Sequence, residues 1–327
     1  MSCPNRRTVI IGAAGFVAVP FVARAQSWPS GATIRFVVPY PPGGSNDVIA
    51  RLVQPLLQQR LGATVIVDNR PGASGIVGTA SVVKSPPDGN TWLIVFDNHA
   101  ANPFVMPNVP YNTEKDLDPV LLIGNAPYLV ATNMEKPYRS LADVIRTAKA
   151  KADSVSYGSV GSGSIGHLAM TLLAKQAGVS IVHVPYRGGA PALNDAIAGH
   201  VDLVVGSVAL SLPQVQAGKL RAVFHTGTER IAALPDVASV AEGGFPNFSA
   251  YAWWGVFAPA GTPKPIAERF RAELVASLRD PNVMKQLIET QQINMLLAGP
   301  EELRKFLEEQ MRTWGTVAKE NNIKGDI

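Results

Sequence analysis

The feature that most constrains the fold is a repeating order: a short apolar run, a break rich in glycine or proline, then a stretch with helical spacing. Residues 34–39 form such a run, broken by Pro41-Pro42-Gly43-Gly44. Residues 45–61 follow, with Val48, Leu52 and Leu56 along one side, Ser45 placed to cap and Pro55 placed to kink the helix. A strand at 64–67, a turn at Asn69-Arg70-Pro71-Gly72, a helix near 75–84, a Pro-Pro-Asp-Gly turn at 86–89 and a strand at 91–96 continue the series. A second series starts near Ser140, which is placed to cap a helix to Lys151. Strands at 155–157, 181–184, 201–205 and 220–224 then alternate with helices at 164–177 and 191–198. Strand, helix and strand at this spacing predict a mainly parallel, doubly wound sheet in each series.

The two series are joined by apolar, strand-like chain at 119–133 and again at 251–258, not by a Gly/Ser linker. Two crossings imply that the C-terminal part completes the first domain. That part supplies amphipathic stretches at 265–278 and 301–317, the latter with Leu303, Phe306, Leu307, Met311 and Trp314 on one face, read as core. The expected fold class is α/β, with two doubly wound α/β domains joined by two hinge crossings. Domain 1 is residues 26–125 with 251–327, and domain 2 is residues 126–250. A chain of 327 residues can bury two such cores.

The first 25 residues read differently. Arg6 and Arg7 precede an apolar run of 15 residues from Val9 to Ala23, and Ala23-Arg24-Ala25 fits a small-x-small cleavage site. This is the form of a secretory signal peptide cleaved near Ala25, and the run is shorter than the roughly 20 residues a spanning helix needs. The arginine pair leaves the general and the twin-arginine export routes both open. The segment holds three arginines and no acid, so its loss takes the net charge from +4 to +1 and removes any electrostatic argument for nucleic acid. It also takes the only cysteine, Cys3, which excludes thiolate metal sites and cysteine catalysis from the mature chain.

Four segments at strand ends carry the functional signal. Tyr40-Pro41-Pro42-Gly43-Gly44-Ser45-Asn46-Asp47 joins a strand end, a glycine pair and a helix start, where unpaired N–H groups favour a carboxylate. Asp47 reads as a first-turn capping residue. Gly161-Ser162-Gly163-Ser164, with His167, is a second strand-to-helix turn. It contains G-x-G-x-x-G, but no acid follows about 20 residues on, so an anion cradle explains it better than a dinucleotide site. Tyr186-Arg187-Gly188-Gly189 offers the one cation of these turns, able to pair with a carboxylate or simply to face solvent. Asp97 and His99 follow the strand at 91–96. His99 and His167 are equally compatible with ligand contact or with bonding a backbone carbonyl. No G-x-S-x-G elbow and no metal-type histidine spacing is present. The expectation is therefore a ligand-binding protein with no catalytic residues, no metal and no cofactor, its ligand held beyond the strand ends of both domains.

The chain resembles the solute-binding proteins of tripartite tricarboxylate transporters, the Bug-type periplasmic receptors. Seven segments carry the resemblance in order: Tyr40-Pro41-Pro42-Gly43-Gly44 with Asp47; Val67-Asp68-Asn69-Arg70-Pro71-Gly72-Ala73; Pro87-Asp88-Gly89; His99 with Asn102-Pro103; Gly161-Ser162-Gly163-Ser164 with His167; Val184-Pro185-Tyr186-Arg187-Gly188-Gly189; and the run from Gly255 to Pro263. It implies a type II-like periplasmic binding protein of the Venus flytrap form, monomeric, serving a two-subunit inner-membrane transporter. It further implies that the loop from Pro42 to Ser45 and the loop from Gly161 to Ser164 hold one carboxylate of a small organic acid through amides, hydroxyls and water. The far end of the ligand is expected near Asp97, His99, Arg187 and Ser207. An ionised Asp97 would repel a second carboxylate unless protonated or turned away, so a ligand with one carboxylate and a neutral or cationic far end is expected. A sensor subunit for a membrane kinase shares the same sequence features, and an exported hydrolase using a serine with His99 or His167 is the third alternative.

Overall fold

The computed structural model describes residues 28, 29, 31 and 33–325, so the expected signal peptide and its cleavage site lie outside the described residues. The first series comprises β1 (Ile34–Val38), α1 (Ser45–Leu61), β2 (Val65–Asn69), α2 (Ile76–Val83), β3 (Thr91–Phe96) and α3 (Asn98–Val105). A 17-residue strand, β4 (Leu117–Asn133), leads to α4 (Leu141–Ala150), β5 (Ser156–Ser159), α5 (Ile165–Ala177), β6 (Val182–Pro185) and α6 (Gly189–Ile197). Then come β7 (Leu203–Ser207), α7 (Val208–Gln216) and β8 (Leu220–His225). The return strand β9 (Tyr251–Pro259) is followed by α8 (Lys264–Leu278), α9 (Pro281–Lys285), β10 (Asn294–Ala298) and α10 (Pro300–Glu320).

The architecture is α/β, with strands in the order β2-β1-β3-β9-β4-β7-β5-β6. Each lobe keeps the expected parallel arrangement at its outer side: β1 runs with β2 and β3, and β5 with β6 and β7. The middle is antiparallel, because β4 leaves the first lobe in the direction opposite to that in which β9 returns. β4 pairs with β9 from Leu117 to Pro127, then with β7 and β8 from Tyr128 or Leu129 onward. The exchange of partners at Pro127 and Tyr128 sets Tyr128 on the boundary between the lobes.

The core explains why these elements sit where they do. α1 buries Ile49, Val53, Leu57 and Leu61, one face at steps of four residues, each worth about 1.5–3 kcal/mol when fully withdrawn from water. Leu52 and Leu56 lie on the flank of that face, so the buried stripe is offset by one residue from the expected one. Pro55 does not end the helix. Its N-cap is Gly44, and Ser45, expected to cap, is the first helical residue, whose hydroxyl instead accepts the Trp254 indole N–H at 2.9 Å. Phe270 of α8 stacks on Trp92 of β3, with ring centroids 3.8 Å apart. α10 packs on α3 so tightly that a methyl group at Gly315 would lie 2.8 Å from the Phe104 ring. The C-terminal helix thereby fixes α3, a helix that opens on the space between the lobes. Ser140 caps α4 as expected, accepting the Asp143 N–H. α3, α7, α9 and β10 fall in stretches where no element was expected. No helix among the described residues is long and apolar enough to cross a membrane.

Candidate functional site

A cavity of about 290 Å³ lies between the lobes at the point where β4 changes sheets. Three helices begin at its wall. Their N-cap residues are Asp97 for α3, Ser164 for α5 and Ser207 for α7, and all three line the cavity. The first turn of a helix presents unpaired N–H groups and about half a positive charge, so three such starts around one space make an anion-attracting environment. None of these helices has an acidic residue in its own first turn. Among the described residues the lining contains no Lys, Arg or His, and Phe96, Val105, Met106 and Leu210 give it apolar walls.

The second lobe contributes the turn from Val160 to Ser164. Gly161 and Gly163 take φ values of 142° and 74°, positions where a side chain would be strained. The turn is held from behind. The Ser164 hydroxyl donates to the Gly161 carbonyl at 2.7 Å and accepts the His167 N–H at 3.4 Å. The Gly163 N–H donates to His167 Nδ1 at 3.1 Å, and the His167 ring stacks on His183 at 3.7 Å. His167 thus braces the turn from the side away from the cavity. Ser207 accepts the Leu210 N–H at 3.3 Å, a side-chain cap that also fixes its position on the wall.

The first lobe contributes Tyr40, Ser74, Asn98 and Asn102. The Tyr40 hydroxyl donates to Asn98 Oδ1 at 2.5 Å and accepts the Phe96 N–H at 3.3 Å. The amides of Asn98 and Asn102, one helical turn apart, both donate to the Ser74 carbonyl, at 2.6 and 3.0 Å. Ser74 itself sits at φ 54°, in the left-handed region, which turns its carbonyl toward them. Asp97 is 2% exposed, and its carboxyl accepts a short hydrogen bond from the Tyr128 hydroxyl. Burial raises the Asp97 carboxyl to about 8, outweighing the hydrogen bonds from Tyr128 and Asn98 that favour its ionised form. At neutral pH Asp97 therefore retains its proton. Burial and the neighbouring Asp97 push Tyr128 and Tyr40 well above the ordinary tyrosine value.

Of the residues singled out from the sequence, the structure brings Tyr40, Asp97, Gly161, Ser162, Gly163, Ser164 and Ser207 to this cavity. Pro42, Gly43 and Gly44 are exposed and, with Ser45, lie outside its lining. The Gly43 N–H is already engaged by Asp47 at 2.9 Å, and Asp47 also takes Arg51 and Asn69. His99 is buried against Phe257 and Tyr111, with burial holding it at about 3, hence neutral. The Tyr186 hydroxyl donates to Asp195 at 2.7 Å, and Tyr186, Arg187 and Gly188 do not reach the cavity. Ser74, Asn98, Asn102 and Tyr128 were not among the expected site residues. Among them only Asn102 stood in a recognisable motif, and the signal that could have found Asn98 is its place directly after a strand end and an acid.

Known proteins resemble this chain in sequence and in fold. Residues 49–323 match the family model described as the tripartite tricarboxylate transporter family receptor. The chain is 33% identical to protein BugT of Bordetella pertussis over 318 residues, 97% of this chain and 96% of that one. Among solved structures, one described as a periplasmic transporter superposes with a TM-score of 0.80 at 38% identity, covering 91% of this chain and 99% of the other. Rpa4515 of R. palustris, solved with adipate, superposes at 0.81 and 32% identity with the same coverage.

Proposed function

The chain belongs to the tripartite tricarboxylate transporter receptor family, and from that premise we propose that it is a periplasmic solute-binding protein that captures a small organic carboxylate in the cavity between its lobes. The observation that carries this reading is the convergence of three helix starts, α3, α5 and α7, on one cavity: none has an acid in its first turn, the one N-cap acid, Asp97, is held in its protonated form, and no cationic side chain is present among the described residues of the lining. Such a site holds an anion through main-chain N–H groups and hydroxyls and leaves no strong base beside a nucleophile, which suits capture and release better than turnover. A related protein of this family was solved with adipate and another with malate, which supports the carboxylate class. In this reading residues 26–125 with 251–327 form one moving body and residues 126–250 the other. Closure about the β4 and β9 crossings encloses the ligand, and the closed form is what a two-subunit inner-membrane transporter receives.

The test is a thermal-shift screen of the exported protein with dicarboxylates, amino acids and aromatic acids. A ligand bound only by the native state raises the melting temperature, by about 2.7 kcal/mol of stabilisation at a hundredfold excess over Kd. The expected result is a rise with at least one organic acid that is lost in Gly163→Val. A set in which none of these acids shifts the melting curve sinks the proposal.

A further inference from the structure

Asp97, directly after β3 at the start of α3, and Tyr128, on β4 at the boundary between the lobes, meet at the cavity wall across one hydrogen bond. With Asp97 in its acid form, the pair carries two hydroxyl protons and one internal bond. Whichever group donates to the other, one O–H remains for an acceptor in the cavity. With Asp97 ionised, the single remaining proton is spent inside the pair and a buried negative charge faces the same space. We infer that this pair reads the far end of the ligand: in its two-proton form it accepts a second carboxylate, and the loss of one proton turns it into a site that rejects dicarboxylates and admits cationic ends. This rests on the receptor reading above and replaces the expectation of a neutral or cationic far end at neutral pH.

The surroundings favour the two-proton form. The titratable groups that face Asp97 are Tyr128 from β4 and Tyr40 from the end of β1, both held far above their ordinary values. The second-lobe wall opposite offers Ser162, Ser164 and Ser207 and, among the described residues, no charged side chain. His99, on the same helix start, packs against Phe257 and Tyr111 and stays neutral. With no cation among the described residues of the lining, burial outweighs the donors from Tyr128 and Asn98 and lifts the carboxyl to about 8. Asp97 stands at the N-cap of α3 without making a side-chain capping bond; its carboxyl faces the Asn98 N–H and the Tyr128 hydroxyl and lines the cavity. A bound carboxylate beside it raises its proton affinity further, so ligand binding and proton retention support each other.

Isothermal titration of the intact protein with succinate, glutarate, adipate and 6-aminohexanoate at pH 6.5 and pH 9.5 tests the inference. The expected result is that a dicarboxylate binds at pH 6.5 and weakens by at least about tenfold at pH 9.5, tending to tenfold per pH unit above the Asp97 midpoint. 6-Aminohexanoate shows no such loss and gains relative to adipate. Asp97→Asn, whose amide keeps a donor but cannot ionise, removes the difference between the two pH values. Should that variant not fold, titrations of the wild-type protein near pH 8 in two buffers of different ionisation enthalpy give the same answer, since dicarboxylate binding takes up protons. A dicarboxylate affinity that is flat with pH, or bound without proton uptake, overturns the inference, as does binding of monocarboxylates only. In each of those cases the receptor reading stands. If no carboxylate binds at either pH, the receptor reading falls and this inference with it.

Discussion

Two turns of this protein look alike in sequence and do opposite things in space. Tyr40 to Asp47 and Val160 to Ser164 each join a strand to a helix through paired glycines and a serine. In the first, Asp47 stands in the first turn of α1 and accepts the Gly43 N–H, so the helix supplies its own anion, and Pro42, Gly43 and Gly44 are exposed and off the cavity that Tyr40 reaches. In the second, α5 has no acid in its first turn, and the turn forms part of the cavity wall. The lesson is that a glycine-rich helix start is an anion site only when no side chain of the same helix has already filled it.

The comparison breaks most readily at the glycines. Gly163 sits at φ 74°, and an added methyl group would lie 3.0 Å from Val105 and 3.1 Å from Gly325, both across the gap from its own lobe. Gly43 sits at φ 88° with nothing within 4 Å of such a methyl. Gly163→Ala is expected to weaken carboxylate binding by at least about tenfold, because about 1–2 kcal/mol of backbone strain is joined by crowding between the lobes. Gly43→Ala is expected to cost about 1–2 kcal/mol of stability from strain alone and to leave affinity within about twofold. Parallel titration calorimetry and urea unfolding measure both. Equal losses of affinity would mean that the first turn also touches ligand.

The two acids at helix starts sharpen the contrast through pH. Burial works to raise the Asp47 carboxyl, but the bonds from Arg51, Gly43 and Asn69 outweigh it and hold it below the usual range. Its stabilising effect is fully present above the unfolded value of about 3.9 and is lost as pH falls through the lower folded value. Asp97 has the opposite sign. Its raised value means a contribution fully present below about pH 4 and lost as pH rises toward 8. Asp47→Asn is expected to lower stability by about 1–2 kcal/mol at pH 7 and to differ least from wild type in acid. Asp97→Asn is expected to flatten the fall in melting temperature between pH 5 and 8. Melting curves across pH 3 to 9 check both, and slopes of the same sign in the two variants would defeat the assignment of one ionised and one neutral acid.

How much of this was legible in the sequence follows from the range of each interaction. The Ser140 cap was readable because a cap acts on an N–H three residues away. The strand pairing of the two crossings was readable as apolar runs, but their antiparallel sense required knowing that one leaves and the other returns. α3 was missed because Pro103 lies inside an eight-residue helix whose stability comes from Phe104 packing on Gly315 of α10, more than 200 positions away in the chain. The tenancy of the first turn by Asp47 was half visible: the acid was read as a capping residue, yet the same turn was expected to hold ligand. Asp97 was visible as a problem, a carboxyl where a carboxylate ligand was expected. Its answer lies in Tyr128, 31 residues away on the strand that changes sheets. Proton state depends on burial, and burial is a property of the assembled lobes.

The smallest effect separates capping from binding. Ser140 and Ser207 make the same local bond, each hydroxyl accepting the N–H three residues on at 3.3 Å. Replacing either with alanine is expected to cost about 1 kcal/mol of stability through the lost cap. Only Ser207 stands on the cavity wall, at the start of a helix without its own first-turn acid, whereas α4 has Asp143 there. Ser207→Ala is therefore expected to weaken carboxylate binding by about fivefold, the equivalent of a net hydrogen bond of about 1 kcal/mol, while Ser140→Ala leaves it unchanged. Because the two substitutions remove the same atoms from the same kind of cap, any difference in affinity between them isolates the contact with ligand. Identical affinities in the pair would remove α7 from the site and leave α3 and α5 to hold the anion.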